Sequence, residues 1–421
     1  MNRSSASANL NNWLSPEGLS RLRSGNPWLF RAHLGPNFPK LADAALLPVG
    51  EHWFWYSPNS QITLRRLGPA TRYWPGENPA REPIVDVKSF SEGFSSCLRE
   101  HLSNLWHRKK RLVDDDLCFR WVFSESDLLP GLIVDVFANV WVIQIQSLPI
   151  FKFWGAFAKI FDELATSLGI PPPQLKILPG TKLFSSEGLP AENFALDSRA
   201  PIPGDWYRWN EFEWWMRPGE GQKTGAFFDQ RENHRAARSW ARKLGLKDAL
   251  DVCSFEGGFG MHLLAEGMQV KAVDSSELAL ETARKNVQRN FPEAKSRFET
   301  EKADVFEFLK NLHSQKGLVD MIVLDPPGFV KSKDALASAM RGYKELNLRA
   351  LHSVKPGGLL VSCSCSHAVS ATLFEEMLRS ASHDARRHIK VLEIKGPSAD
   401  HAPCPSLSES SYLQAWFIEV T

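Results

Sequence analysis

Three short stretches carry residue types that could do chemistry. In the first, an apolar run at 249–252 meets a turn containing Gly257, Gly258 and Gly260. A helical pattern at 261–266 follows, then a second apolar run at 270–273 that ends in Asp274. Strand, glycine turn, helix, strand, acid is the order of a nucleotide-type site. Glycines let backbone approach a ligand closely, the helix N-terminus favours an anionic group, and a strand-end acid can accept hydrogen bonds from both ribose hydroxyls. The second stretch is Asp325-Pro326-Pro327 behind the apolar run 321–324. Two prolines stop the strand and stiffen the turn. The acid is left at a carboxyl end of the sheet, where ligands bind in open α/β folds. The third is Ser362-Cys363-Ser364-Cys365-Ser366 behind the apolar run 359–361. A thiol there could serve as a nucleophile if its surroundings stabilise the thiolate. Strand alternation puts Cys363 and Cys365 on one face, so alternation does not choose between them. Position does: Cys365 lies further toward the carboxyl end.

The rest of the chain sets no obstacle to such a site. Its 421 residues leave room for two or three domains, and a hydrophobic fraction of 43% is ordinary for a globular protein. A net charge of +2 and a sequence pI of about 8.2 neither demand nor exclude nucleic acid, so a phosphate-binding surface must be a local patch. No apolar run reaches the length of a membrane span, and the opening MNRSSASANLNNW lacks an apolar signal core. The six cysteines show no zinc-like paired spacing, so no metal is expected and a reducing cytoplasm fits best.

Composition shifts along the chain. Fourteen of the 15 tryptophans lie at or before Trp240. Runs at 53–56, 62–67, 118–123, 131–137 and 140–146 read as strands between turn residues. From 248 onward strand and helix patterns alternate, which implies a parallel sheet. β-rich material therefore comes first and an α/β domain last. The Pro-rich stretches 72–83 and 171–173 are candidate linkers, and residues 4–7 a frayed terminus.

The order of the chemical motifs resembles a class I S-adenosylmethionine (SAM) methyltransferase. A dehydrogenase has no use for Asp-Pro-Pro at that strand end. The joint pattern is more specific. GQKTGAFFDQREN (221–233), DVCSFEGGFG (251–260), DPPGFVKSK (325–333), RGYKELN (341–347) and SCSCS (362–366) together are similar to one family. It is the large-subunit ribosomal RNA 5-methylcytosine methyltransferases that carry an N-terminal PUA domain. GNPWLFRAHL (25–34) and YSPNSQITLRRL (56–67) resemble that family's PUA segment, and SESDLLPGLIVDVF (124–137) its central β-rich domain. ADH (399–401) followed by YLQAWFIEV (412–420) resembles its closing strands. The resemblance implies a small PUA-like β-barrel over 1–72, a β-rich central domain over 73–200 and a Rossmann-like α/β methyltransferase domain over 201–421.

With SAM as the ligand, each site residue acquires an expected role. The helix N-terminus behind Ser254, Phe255, Gly257 and Gly258 suits the amino-acid carboxylate, and Asp251 the methionine ammonium. Asp274, with Ser275 beside it, suits the ribose, and Asp304 the adenine amino group. In the family the segment matching 224–231 lies over the cofactor, which implicates Phe227, Asp229, Gln230 and Arg231. Carbon 5 of cytosine is a poor nucleophile until a thiolate adds at carbon 6. The family's Ser-Cys-Ser falls on Ser364-Cys365-Ser366, which makes Cys365 the nucleophile and Cys363 a structural thiol. Asp325 is then the acid that hydrogen-bonds the ring, and from its strand end it is also a cofactor contact. Many RNA 5-methylcytosine enzymes place a second cysteine just after the proline, but this chain has Gly328 there, which leaves the acceptor of the carbon-5 proton unassigned. Arg65, Arg66, the run 108–111 and Lys344 are candidate RNA contacts, whereas the tryptophans more readily fill small β cores. The expected partner is 23S ribosomal RNA or a large-subunit precursor, with no membrane. A homodimer is compatible with the sequence. Two alternatives stay open: a base-nitrogen (guanine) methyltransferase, set apart by the Ser-Cys-Ser element, and a vestigial RNA-binding assembly factor. The intact glycine turn, Asp274 and Asp325 argue against the latter.

Overall fold

The computed structural model describes residues 13–69, 92–114, 116–191, 202–221, 223–314, 318–329 and 336–421. The expected frayed terminus at 4–7, the Pro-rich stretch 72–83 and the end of the Asp-Pro-Pro motif at 330–333 lie outside the described residues. The described chain forms two compact units. The first holds Met1–Tyr207, Met216–Ala226 and Ala399–Leu407; the second holds Arg208–Trp215, Phe227–Ser398 and Ser408–Thr421.

In the first unit, helix α1 (Pro16–Arg23) starts at Ser15, whose side chain accepts from Gly18 N, with proline in the first turn. A four-stranded sheet follows in the order β1-β4-β3-β2, from β1 (Trp28–Leu29), β2 (Ala45–Val49), β3 (His52–Tyr56) and β4 (Leu64–Pro69). Strand β3 reads HWFWY because both of its faces are covered. Phe54 and Tyr56 join a core with Leu14, Leu29 and Leu47, while Trp53 and Trp55 point the other way into a larger core with Phe94, Trp121 and Trp141. A second sheet, ordered β5-β6-β7-β8, is built from β5 (Cys118–Phe123), β6 (Leu132–Phe137), β7 (Val140–Ile145) and β8 (Gln174–Pro179). Four of the tryptophans fill the core as expected: Trp53, Trp55, Trp121 and Trp141 are fully buried.

The β-rich expectation for this half misses two helices. Helix α2 (Glu92–Leu112) buries Phe94, Leu98, Leu102 and Leu105 at helical spacing. After the short α3 (Leu148–Lys152), helix α4 (Trp154–Ser167) buries Phe157, Ile160, Phe161 and Leu164 the same way. A one-turn helix α5 (Thr181–Ser185) follows. The apolar residues of α2 and α4 recur at the 3.6-residue helical period. Ala399–His401 is likewise a single 3₁₀ turn and no strand. It belongs to this unit, where the Asp400 carboxylate accepts from Arg120 N at 2.9 Å and its carbonyl from Lys109 Nζ at 2.5 Å.

Strands β9 (Asp205–Trp209) and β10 (Phe212–Met216) form a hairpin whose turn residues Asn210 and Glu211 both have positive φ. The second unit then carries a seven-stranded sheet ordered β13-β12-β11-β14-β15-β17-β16. Its strands are β11 (Asp248–Val252), β12 (Gln269–Asp274), β13 (Phe298–Lys302), β14 (Val319–Leu324), β15 (Val354–Ser364), β16 (Ile389–Lys395) and β17 (Gln414–Val420). The first five run parallel, and β17 is antiparallel to both β15 and β16. Connecting helices are α6 (Arg231–Leu244), α7 (Gly258–Ala265), α8 (Glu277–Asn290), α9 (Val305–Ser314), α10 (Leu336–Ser353) and α11 (Ala371–Ala385). This is the Rossmann-like α/β architecture expected of the later part of the chain. The chain order reverses between β11 and β14, the switch point at which such sheets bind ligands. Register puts Leu324 level with Val252 and with Ser362. Cys253 and Asp325 therefore leave the sheet at one rim, while β15 continues through Cys363 to Ser364 before Cys365 leaves it on the same side.

Candidate active site

The glycine turn is wound tightly. Cys253, Phe255 and Gly257 have φ values of 62°, 48° and 87°, and only the last is the residue type that adopts such angles freely. The left-handed residues are held by hydrogen bonds from outside the turn. Phe255 N donates to Asp274 Oδ2 at 2.9 Å, and Cys253 N to the Val273 carbonyl at 2.9 Å. Asp274 Oδ1 also accepts from Ser276 N at 2.9 Å, so this carboxylate ties the end of β12 to the turn after β11. Ser275 is exposed, and Ser276 caps α8 through Ala279 N.

Asp251 sits beneath the turn, 1% exposed. Its Oδ2 accepts from Gly260 N at 2.8 Å, while Oδ1 is buried without a hydrogen-bond partner among the described residues. Burial, with Asp325 and Asp274 nearby, pushes its carboxyl up to about 7. The Ser254 hydroxyl is buried and unpartnered in the same way. An orphaned carboxylate oxygen and hydroxyl at a helix N-terminus fit the ammonium and carboxylate of an amino-acid ligand. Asp304 is exposed, and its Oδ1 accepts from Phe306 N at 3.0 Å and Glu307 N at 3.1 Å. It therefore caps α9.

The segment ahead of α6 approaches the same turn. The Phe227 ring meets Phe255 edge to face at 5.0 Å between centroids. Phe228 is buried. Asp229 is buried and accepts from the Tyr412 hydroxyl at 2.6 Å, a partner with no signal in the sequence. Gln230 Nε2 donates to Asp325 Oδ2 at 2.9 Å. Arg231 is fully buried, with its guanidinium 5.4 Å from the Trp209 ring centre.

The two cysteines separate clearly. Cys363 is completely buried, and that burial pushes its thiol well above the usual value. Cys365 lies past the last residue of β15 and is partly exposed, with Sγ 3.8 Å from the Pro326 carbonyl. A Cβ on Gly328 would stand 3.6 Å from the same sulfur. Below it, Ser364 Oγ donates to the buried Tyr343 hydroxyl at 3.1 Å, and burial pushes the Tyr343 phenol up to about 12. Tyr343 stands inside the RGYKELN motif, where Lys344 alone reads as a contact from sequence.

Most of the candidate RNA contacts have partners within the fold. Arg65 is 7% exposed and turned inward, with Nη2 donating to Glu187 at 2.8 Å. Arg66 is half-buried and donates to the Gly25 carbonyl at 2.6 Å. Lys109 of the 108–111 run is buried against Asp127 at 2.8 Å, and Arg108 pairs with the same carboxylate at 3.1 Å. Lys344 pairs with Asp384 at 2.6 Å. Arg65, Arg108, Lys109 and Lys344 answer acids within the fold and Arg66 a backbone carbonyl, which spacing along a chain does not reveal.

Known proteins bear on this geometry. Residues 205–407 match the family described as S-adenosylmethionine-dependent methyltransferase. A ribosomal RNA large subunit methyltransferase I from Alteromonas mediterranea is 30% identical over 97% of this chain and 98% of its own length. The chain belongs to that family. A Yersinia pestis protein of the same name is 32% identical over 87% of this chain and 86% of its own. Among solved structures, a Streptococcus mutans protein described as a SAM-dependent methyltransferase superposes with a TM-score of 0.73 at 14% identity, covering 97% of this chain and 99% of the other. A methyltransferase complexed with S-adenosylhomocysteine gives 0.72 at the same identity and coverage. These superpositions establish the class I methyltransferase fold, and SAM is the family's cofactor. Among the described residues no helix is long and apolar enough to cross a membrane.

Proposed function

We propose that this chain methylates carbon 5 of a cytosine in large-subunit ribosomal RNA, with Cys365 as nucleophile and Asp325 as the acid beside the ring. The relatives are named for the large-subunit RNA. The observation that carries the finer reading is the pair of strand ends. A partly exposed thiol at Cys365 stands against the Asp325-Pro326-Pro327 turn, whereas Cys363 is enclosed.

When bound, SAM supplies an electrophilic methyl group. Asp251, Ser254, Phe255, Gly257, Gly258, Asp274, Ser275 and Asp304 would hold it, with Phe227, Asp229 and Gln230 from the preceding segment. The Cys365 thiolate adds to carbon 6 of cytosine. Electron density moves through the ring to carbon 5, and a hydrogen bond donated by the Asp325 carboxyl to N3, or accepted by it from the N4 amino group, lowers the cost of that step. Once carbon 5 is methylated, water or a basic group at the site takes its proton, the C5–H electron pair re-forms the C5–C6 double bond, and the C6–S bond breaks to return the Cys365 thiolate. The stretch 1–72 would act as a PUA-like RNA-binding domain, 73–200 as the central domain and 201–421 as the catalytic one. The substrate is 23S RNA or its precursor.

The test uses 23S RNA transcribed with 5-fluorocytidine triphosphate. Fluorine blocks loss of the carbon-5 substituent, so the enzyme and SAM should leave an adduct that survives denaturation. Cys365→Ala should form none, yet still bind SAM. Normal methylation by that variant would transfer the reading to a base-nitrogen methyltransferase, which needs no thiol.

A further inference from the structure

Gln230 and Asn233 stand three residues apart where α6 begins, so their side chains share one face of its first turn. Gln230 is 3% exposed and Asn233 fully buried. Three hydrogen bonds connect them to the site. Asn233 Nδ2 donates to the Gly396 carbonyl at 3.2 Å and to Gln230 Oε1 at 2.6 Å, and Gln230 Nε2 donates to Asp325 Oδ2 at 2.9 Å.

The direction of this chain is fixed from one end. A backbone carbonyl can only accept, so Asn233 must turn its amino group toward Gly396. That amino group also faces Gln230, which must present its oxygen. The other end of the Gln230 amide is then a donor, and it meets Asp325. We propose that Asn233 and Gln230 are positioning residues whose amide relay commits Oδ2 of Asp325 as an acceptor, so that a proton on this carboxyl sits only on Oδ1. The proposal rests on Asp325 being the acid beside the base, and it adds which of its oxygens deals with the substrate.

A carboxyl free to rotate offers a protonated or an ionised oxygen at random. The relay removes that choice and favours the ionised form. Other titratable groups act on the same carboxyl. Asp251 and Cys253 do so from β11 and its turn, Cys363 from β15 and Tyr343 from α10. The Cys363 thiol is also hydrogen-bonded to Gln230.

The full chain serves as the test, with methyl incorporation into transcribed 23S RNA followed from about pH 5.5 to 8.5. Gln230→Glu keeps the shape and replaces the donor with a carboxyl. It should run at least tenfold below wild type at the alkaline end. The ratio should recover as pH falls, because the introduced carboxyl regains an O–H donor when protonated. Gln230→Met should be slow at every pH, and Asn233→Ala severalfold slow, because its glutamine amide can invert. A readout independent of substrate is the carbon-13 resonance of the Asp325 carboxyl in aspartate-labelled protein, assigned with Asp325→Asn. It should titrate at higher pH in Gln230→Met than in wild type. A pH-independent Gln230→Glu ratio together with an unmoved Asp325 titration would overturn the relay. So would a fall in SAM affinity by calorimetry that accounts for the whole loss of rate, since Gln230 would then act through the cofactor alone and not through Asp325. Methyl incorporation without a 5-fluorocytosine adduct would instead remove the cytosine reading, while the same ratios still judge the relay.

Discussion

A Cβ placed on Gly258 would stand 2.6 Å from the imidazole Cε1 of His234, so glycine and histidine are fitted against each other where α7 begins. His234 is buried between Trp209 and Phe259, and its ring lies 5.5 Å from that of His262. His262 Nε2 is 3.0 Å from Asn210 Nδ2, so this nitrogen accepts and the imidazole is neutral. The glycine turn thus rests on two uncharged histidines.

That support predicts acid sensitivity. Burial pushes His234 down to about 3 and His262 well below its ordinary value. Both groups bind a proton more readily in the unfolded chain. The stability linked to them is present above about pH 6.5 and is lost as pH falls toward the folded-state value. Between pH 7 and 5 each histidine should cost roughly 2 kcal/mol of stability. Urea unfolding at the two pH values measures it. His262→Gln should show a shallower dependence than wild type, and an equal one would mean that the histidines stay neutral in the unfolded chain too.

Gly258→Ala should damage the turn directly. The added methyl group must displace the His234 ring, at a cost of about 1–3 kcal/mol. Thermal unfolding and SAM calorimetry should both weaken. His234→Ala in the same chain should return part of the stability, and failure of that rescue would locate the strain elsewhere.

Asp274 holds two backbone donors before any ligand arrives. Asp274→Ala should therefore lose ribose contacts and also loosen Phe255. Charge-assisted hydrogen bonds of about 1.5–3 kcal/mol each set a loss of at least tenfold in SAM affinity. Asp274→Asn keeps one acceptor and should fall between. Unchanged affinity in Asp274→Ala, by calorimetry, would remove it from the site.

The catalytic half was legible because its chemistry sits at strand ends, and strand ends follow from local pattern. The apolar runs before Cys253, Asp325 and the Ser-Cys-Ser element show which strands end side by side at this rim. What sequence could not supply was partnership across long separations. Tyr412 meets Asp229 across 183 residues, and Asp400 meets Arg120 across 280. No periodicity encodes such pairs. The helices of the first half were hidden for a different reason, since residues such as Trp154, Phe157 and Phe161 are as common on strands as on a buried helix face.

Cys363 and Cys365 should differ toward an alkylating reagent. Iodoacetamide on the native chain should label Cys365 and spare Cys363, whose enclosure and raised thiol both oppose reaction. Peptide mass mapping reads the two sites separately. Labelling of Cys363 at a comparable rate would mean that the strand end opens in solution.

Arg65 offers the sharpest separation of fold from function. Its side chain spans from β4 to Glu187, which is 1% exposed, and also donates to the Ile62 carbonyl at 3.2 Å. Glu187 in turn accepts from Leu148 N at 3.2 Å. Arg65→Ala would leave that carboxylate buried without its cation, a change that costs about 3–5 kcal/mol in comparable settings. A phosphate contact would behave otherwise. It would leave stability intact and reduce the salt dependence of RNA affinity by nearly one counterion. The prediction is therefore a large drop in the urea midpoint of Arg65→Ala, with an unaltered salt slope for RNA binding under conditions where the variant is folded. Replacing the pair together, Arg65→Met with Glu187→Leu, should recover much of the stability, because two apolar side chains need no partner. A lowered salt slope with normal stability would return Arg65 to the RNA-binding surface.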